Sequence, residues 1–289
     1  LALAVAEGGG PGGEPPAAPV AREALEDPDA GVRTAALGWL ADTPVLPLEE
    51  LDAALKRARR SPVLEERLGV VDALAARAEA ESGERGAIVT LLETVAAEGD
   101  YPTRLRAAAA LEDLGRPRPP VGPVETERPL ALYRTILLQT AEPRTLAVAT
   151  ERGDLEIRLA CPDTPLTCLS LLQLVRQRFY DGLTFHRVVP DYVVQGGDPR
   201  GDGWGGPGYT VRDELHRLRF RRGVVGLALA GPDTGGSQLF VALSPQPHLD
   251  GTYTAAGEVV SGREVLERLQ PGDRILEVRE VEPPRRRRP

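Results

Sequence analysis

Residues 185–198 read FHRVVPDYVVQGGD, and this stretch decides the fold. Two β-branched runs flank Pro190-Asp191, a pattern that predicts two strands joined by a tight turn. Period-two alternation puts Arg187 and Val189 on one face of the first strand, and Val193 and Gln195 on one face of the second. Further on, in SQLFVAL, Gln238 and Phe240 share a face opposite Leu239 and Val241. The set offers one cation, two amides and several apolar groups. It holds no nucleophile beside a base and no cluster of metal ligands, so hydrolysis and metal chemistry are poor fits.

Working outward, TLAVATERGDLEIRL reads as two strands around Arg152-Gly153-Asp154, with Leu155, Ile157 and Leu159 on one face. A helix should follow, with Thr164 as N-cap, Pro165 at its first position, and Cys168, Leu169, Leu172 and Val175 facing inward. Past Gly182, short strands and glycine-rich turns dominate, at spacings expected of a closed all-β fold.

The stretch FHRVVPDYVVQGGD resembles the signature of the cyclophilins, the peptidyl-prolyl cis-trans isomerases. The likeness continues through GDGWGGPGYTVRDE, GVVGLALAGPDTGGSQLFVAL and HLDGTYTAAGEVVSG, covering residues 145 to about 282. It implies a closed, eight-stranded antiparallel barrel with two capping helices and a substrate groove on its outer face. It further implies that Arg187, Gln195 and Phe240 are catalytic. Tyr192, Val193, Gly203, Ala228, Leu229, Ala230, Gln238, His248, Leu249 and Tyr253 would then contact the proline-containing substrate. No cofactor and no metal are implied. Three positions depart from the family pattern. Leu229 stands where asparagine is usual, His248 replaces a common tryptophan, and Tyr253 replaces a frequent histidine. The change at His248 argues against tight cyclosporin binding. Alternation turns His186 away from Arg187, as a hydrogen-bonded structural histidine, and His216 is expected in a surface loop.

Upstream, an internal repeat governs residues 21–115. Pro28, Pro62 and Pro102 mark its phase, and each suits the first turn of a helix. Large apolar residues follow in register, at Leu37, Val71 and Leu111, and again at Leu40, Leu74 and Leu114. Arginines keep step at Arg33, Arg67 and Arg106. DPDAGVRTAALGWL and DYPTRLRAAAALEDL resemble HEAT-type helical repeats, which stack into a solenoid. Three units stand near the lower limit of stability, so more are expected upstream of Leu1. The repeats read equally as a protein-binding surface and as a spacer.

The expected organisation is a Gly/Pro-rich segment at 1–20, helical repeats at 21–115, a Pro-rich linker and connecting segment at 116–143, an isomerase domain at 144–282, and a basic tail at 283–289. Glycine (31) and proline (27) are in excess and unevenly spread, dense in residues 1–20 and 115–129, while 42% apolar and 27% charged residues rule out wholesale disorder. The net charge of −8 argues against nucleic acid as a partner, and the four terminal arginines read as a solvated end. No apolar run is long enough to span a membrane. Arginine supplies nearly all the positive charge, with Lys56 alone as lysine, and asparagine is absent. That bias suits a GC-rich bacterial genome, and a cell-envelope location is expected, with the cytoplasm as the alternative. Cys161 and Cys168 read as buried free thiols, with a local disulfide as the other possibility. A proline-segment binding module with little turnover is the rival to an isomerase.

Overall fold

The computed structural model describes residues 17–80, 83–122 and 128–281. Most of the segment 1–20, and the basic tail, lie outside these residues. The chain divides into two compact units, Leu1–Thr126 and Glu127–Pro289.

The first unit is helical: α1 (Ala18–Leu25), α2 (Ala30–Asp42), α3 (Leu48–Ala58), α4 (Leu64–Ala80), α5 (Arg85–Glu98) and α6 (Tyr101–Asp113). Successive pairs pack together, and α4 lies against both α2 and α6. Leu37, Leu40, Val71, Leu74, Leu111 and Leu114 are all buried in one core, as their spacing predicted. The prolines are placed differently from expectation. Only Pro102 falls in the first turn of its helix, while Pro28 and Pro62 stand just ahead of α2 and α4. Asp29 and Asp100 cap instead, accepting from the Gly31 and Thr103 N–H groups.

The arginines join the repeats. Arg33 on α2 forms a two-pronged pair with Glu66 on α4, at 2.6 and 2.8 Å. Arg67 on α4 reaches the cap Asp100 at 2.9 Å, and Arg106 on α6 reaches back to Asp72 at 3.3 Å.

The second unit opens with α7 (Leu130–Gln139), a helix within the stretch expected to be connecting segment. Then follow β1 (Arg144–Thr150), β2 (Gly153–Leu159), α8 (Pro165–Arg176), β3 (Arg187–Val189), β4 (Val193–Gly196), β5 (Val224–Leu227), β6 (Leu239–Ala242), β7 (Ala255–Ser261) and β8 (Ile275–Val281). All pairings are antiparallel, in the order β3-β4-β6-β5-β7-β2-β1-β8.

The eight strands form one curled antiparallel sheet. Among the described residues no ladder joins the end strands β3 and β8 themselves, but the segments just ahead of them meet. Thr184 bridges Arg274, and backbone N–H groups donate from Gly182 to Ile275, Ile275 to Leu183, Phe185 to Asp273 and Gly272 to Phe185. Of the two expected capping helices, one is α8. Besides α7, α8 is the one regular helix of this unit among the described residues. Residues 263–268 make turns that still bury Val265 and Leu266.

Cys161 and Cys168 form a disulfide, with Cα atoms 5.0 Å apart, and both are buried. The free-thiol reading is therefore replaced by its alternative. Thr164 is the N-cap of α8, but its side chain donates to the Ala160 carbonyl at 3.0 Å and accepts no capping hydrogen bond. The Glu214 carboxylate does that work, accepting from the Leu166 and Thr167 N–H groups at 2.9 and 2.8 Å. Leu169 is half-buried, where the sequence placed it fully inward.

Candidate active site

Strand register assembles the site. Arg187 on β3 pairs with Gln195 on β4, Gln195 pairs with Phe240 on β6, and Phe240 pairs with Gly226 on β5. Directly paired residues point to the same face of a sheet. Arg187, Gln195 and Phe240 therefore form a row across three strands, with outer Cα atoms about 10 Å apart at two strand spacings. Alternation within FHRVVPDYVVQGG foretold the faces, and the ladder supplies the row.

At one end of the row the Arg187 guanidinium is exposed. It donates to Gln195 Oε1 at 3.5 Å and lies over the Tyr192 ring, 5.5 Å from its centroid. The other face of that neighbourhood is set by His248, whose ring stacks with Tyr192 at 6.1 Å and 12°. Gln195 Nε2 donates to Gln238 Oε1 at 2.9 Å. Gln238 Nε2 donates in turn to the carbonyls of Gly203 and Gly205, both at 2.9 Å.

At the other end lies an apolar cluster separate from the main core of the sheet. Val193, Phe220, Val224, Phe240, Leu249 and Ala255 are buried there, and Tyr192, Leu218, Ala228 and Tyr253 pack against them. Phe240 is held between Phe220, stacked at 5.5 Å and 24°, and Tyr253, edge-on at 5.7 Å and 87°. Gly226 leaves no room beneath the ring, because a Cβ there would lie 2.3 Å from Phe240 Cζ.

Ala228, Leu229 and Ala230 run beside this cluster. Ala228 N–H donates to the Gln238 carbonyl, and Ala230 N–H to Thr234 Oγ1. Their loop is latched from below: Asp213 N–H donates to the Asp233 carboxylate at 2.8 Å, and Asp233 N–H to the Asp213 carboxylate at 3.0 Å. Burial pushes the Asp213 carboxyl above its ordinary range.

The sequence reading missed Phe220, Leu218 and Gly226. The alternation in HRLRFRRG was a usable signal for the first two, since it turns Leu218 and Phe220 to the side opposite the arginines. Two histidines depart from expectation. Nδ1 of His186 is buried without a hydrogen-bond partner, and burial pushes its pKa down, against the pull of Asp198 and Asp202. His216 is half-buried, with Nε2 2.8 Å from the Ala255 carbonyl, rather than in an open surface loop. Among the described residues no group of three His, Cys, Asp or Glu side chains is arranged to hold a metal ion. None of their helices is long and apolar enough to cross a membrane.

Such a face can grip a peptide through hydrogen bonds and an apolar pocket without forming a bond to it. The comparisons agree. The family model described as cyclophilin type peptidyl-prolyl cis-trans isomerase/CLD matches residues 145–286. The chain is similar to a peptidyl-prolyl cis-trans isomerase of Synechococcus elongatus, 43% identical over 134 residues, covering 46% of this chain and 92% of that protein. It is similar also to peptidyl-prolyl cis-trans isomerase B of Bacillus subtilis, 46% identical over 127 residues, covering 43% of this chain and 89% of that protein. A crystal structure of a Cryptosporidium parvum cyclophilin-type isomerase aligns at 31% identity with a TM-score of 0.48, over 50% of this chain and 100% of that one. The chain belongs to the cyclophilin-type peptidyl-prolyl cis-trans isomerase family, and the matched residues lie within its second unit.

Proposed function

We propose that Arg187 is the hydrogen-bond donor that lowers the rotation barrier of a bound X-Pro peptide bond. The observation that carries this is the row Arg187, Gln195, Phe240 across adjacent strands. It sets a cation at one side of the apolar cluster around Phe240. The rotation barrier is about 18–20 kcal/mol, because twisting breaks resonance across C–N. In the twisted state the prolyl nitrogen regains its lone pair and can accept a hydrogen bond. A guanidinium that donates there stabilises the twisted state more than the planar one, which is differential binding without acid–base or covalent steps.

In this reading Phe240, Val193, Leu249, Tyr192 and Tyr253 hold the proline ring. Gln195 donates to or accepts from the substrate backbone beside it, and Gln238 holds Gln195. Ala228, Leu229 and Ala230 line the groove beside the preceding residue, with Gly203 and His248 at its rims. Contact at Leu229 runs through the backbone, so the missing asparagine there leaves activity in place. The helical unit serves as a tether that presents the isomerase to unfolded or partly folded bacterial proteins, and its own surface is open to a protein partner. The Cys161–Cys168 disulfide favours an oxidising compartment such as the cell envelope.

The test is isomerisation of an Ala-Pro peptide by the wild type and Arg187→Ala. Loss of one preorganised donor costs about 2.7–4 kcal/mol, so a fall of roughly 10²–10³ in kcat is expected. Equal rates would remove the donor role and favour a binding module.

A further inference from the structure

Asp198 lies one residue beyond Gly197, just past the end of β4, and is 1% exposed. Its carboxylate is met by backbone N–H groups of the loop that follows. One oxygen accepts from Arg200 at 2.8 Å, and the other from Asp202 at 3.1 Å and Gly203 at 2.5 Å. The loop wraps so closely that a Cβ at Gly205 would sit 1.9 Å from the carboxylate. The two carbonyls offered to Gln238 belong to Gly203 and Gly205 of this same loop.

The order of donors along the path is therefore forced. A side-chain amide has one donor end and one acceptor end. Two carbonyls facing Gln238 demand its NH2 end, which turns its Oε1 toward Gln195. That oxygen demands the NH2 end of Gln195, which turns the Gln195 oxygen toward the Arg187 guanidinium. Were the loop carbonyls to leave, both amides could flip and present N–H groups to a cation.

We infer that Asp198 is a positioning residue for the isomerase reaction: by folding loop 200–205 around its carboxylate, it sets the polarity of a Gln238–Gln195 relay that aims Arg187. This rests on the reading of Arg187 as donor. The effect on rate is transmitted, since Asp198 touches no substrate. It should appear in kcat, because a displaced donor loses the twisted state while the apolar pocket still binds the proline.

The experiment is a double-mutant cycle on the full chain with Asp198→Asn, Gln238→Leu and the pair, reading kcat and KM for an Ala-Pro peptide. Asparagine keeps one acceptor oxygen and cannot satisfy the loop N–H groups at both ends. Each single variant is expected to lose about tenfold in kcat, with KM within about twofold of wild type. The double variant should fall no further than the worse single, since both cut the same path. The Arg187 guanidinium NMR signal should move in both singles.

Multiplying losses in the double variant, or wild-type kcat in Asp198→Asn, would overturn the proposal. If Asp198→Asn does not fold, Gly205→Ala takes its place in the cycle, because its methyl enters the same loop from the other side. An Arg187→Ala control separates the two layers. A wild-type rate there removes the donor reading, whereas a slow Arg187→Ala with an additive cycle removes the relay alone.

Discussion

Replacing Gly226 by alanine should damage the proposed proline pocket by displacing Phe240, without removing any side chain. The new methyl would lie 2.3 Å from Phe240 Cζ and 2.7 Å from both Phe240 Cε1 and Phe220 Cε1. Carbon atoms at ease sit roughly 3.5–4.0 Å apart, so the Phe240 ring must retreat by more than about 1 Å. Phe220 and Tyr253 close two of its sides, which leaves movement outward, into the space for the proline ring. Overpacking of this kind costs about 1–3 kcal/mol. At roughly 2–4 °C per kcal/mol for a domain of this size, Tm of the isomerase unit should fall by about 2–12 °C. Displacement of about 1 Å at a reacting centre can cost up to about 10²-fold, so kcat/KM should drop by roughly 10–100-fold. Calorimetry and isomerisation of an Ala-Pro peptide read the two effects. A variant with unchanged Tm and unchanged kcat/KM would refute the claim that this ring has nowhere else to go.

In the helical unit, Arg33→Leu strands Glu66, which is 2% exposed. Breaking one side of a buried pair costs about 3–5 kcal/mol, so the helical transition should move to clearly lower temperature, and an unmoved transition would count against it. Cys168→Ala opens a link spanning 7 positions. The loop-entropy relation gives about 2.4 kcal/mol for that length, a drop of roughly 5–9 °C in Tm. Insensitivity of the wild type to reductant at its melting temperature would contradict it. For His186, burial holds the folded pKa below its unfolded value. As pH falls below about 6.5 the unfolded chain takes up the proton first, so this group lowers stability on the acid side and has no effect above pH 7. His186→Gln should flatten the decline of Tm between pH 7 and 5, and an identical slope would dismiss the assignment.

What the sequence revealed was local. The faces of Arg187, Val193, Gln195 and Phe240 follow from alternation within a few residues, and so do the buried positions Leu37, Leu40, Val71, Leu74, Leu111 and Leu114. The signals that failed depend on distant register. Gly226 matters because β5 lies beside β6, and nothing in GVVGLAL announces that a ring will rest on it. The disulfide needs the first turn of α8 to fold back on the exit of β2, so spacing alone left both outcomes open. α7 was hidden by the prolines around it. Pro28 stands just ahead of α2 rather than in its first turn because Asp29 takes the cap.

The latch between Asp213 and Asp233 bears on how this protein ages. Asp233 stands where the family often places an amide, at φ +61°, a conformation that asparagine and aspartate both tolerate. Its side chain is asked only to accept a backbone N–H, and a carboxylate accepts as well as an amide. Glycine-rich loops are where asparagine residues deamidate, lengthening the backbone and ruining the turn. With no asparagine and no methionine anywhere in the chain, these loops escape deamidation and sulfoxide formation, and the slower isomerisation of aspartate before glycine, as at Asp202-Gly203, is what remains. The composition of the chain thus removes two routes of chemical damage from the loop that the Asp213–Asp233 pair holds.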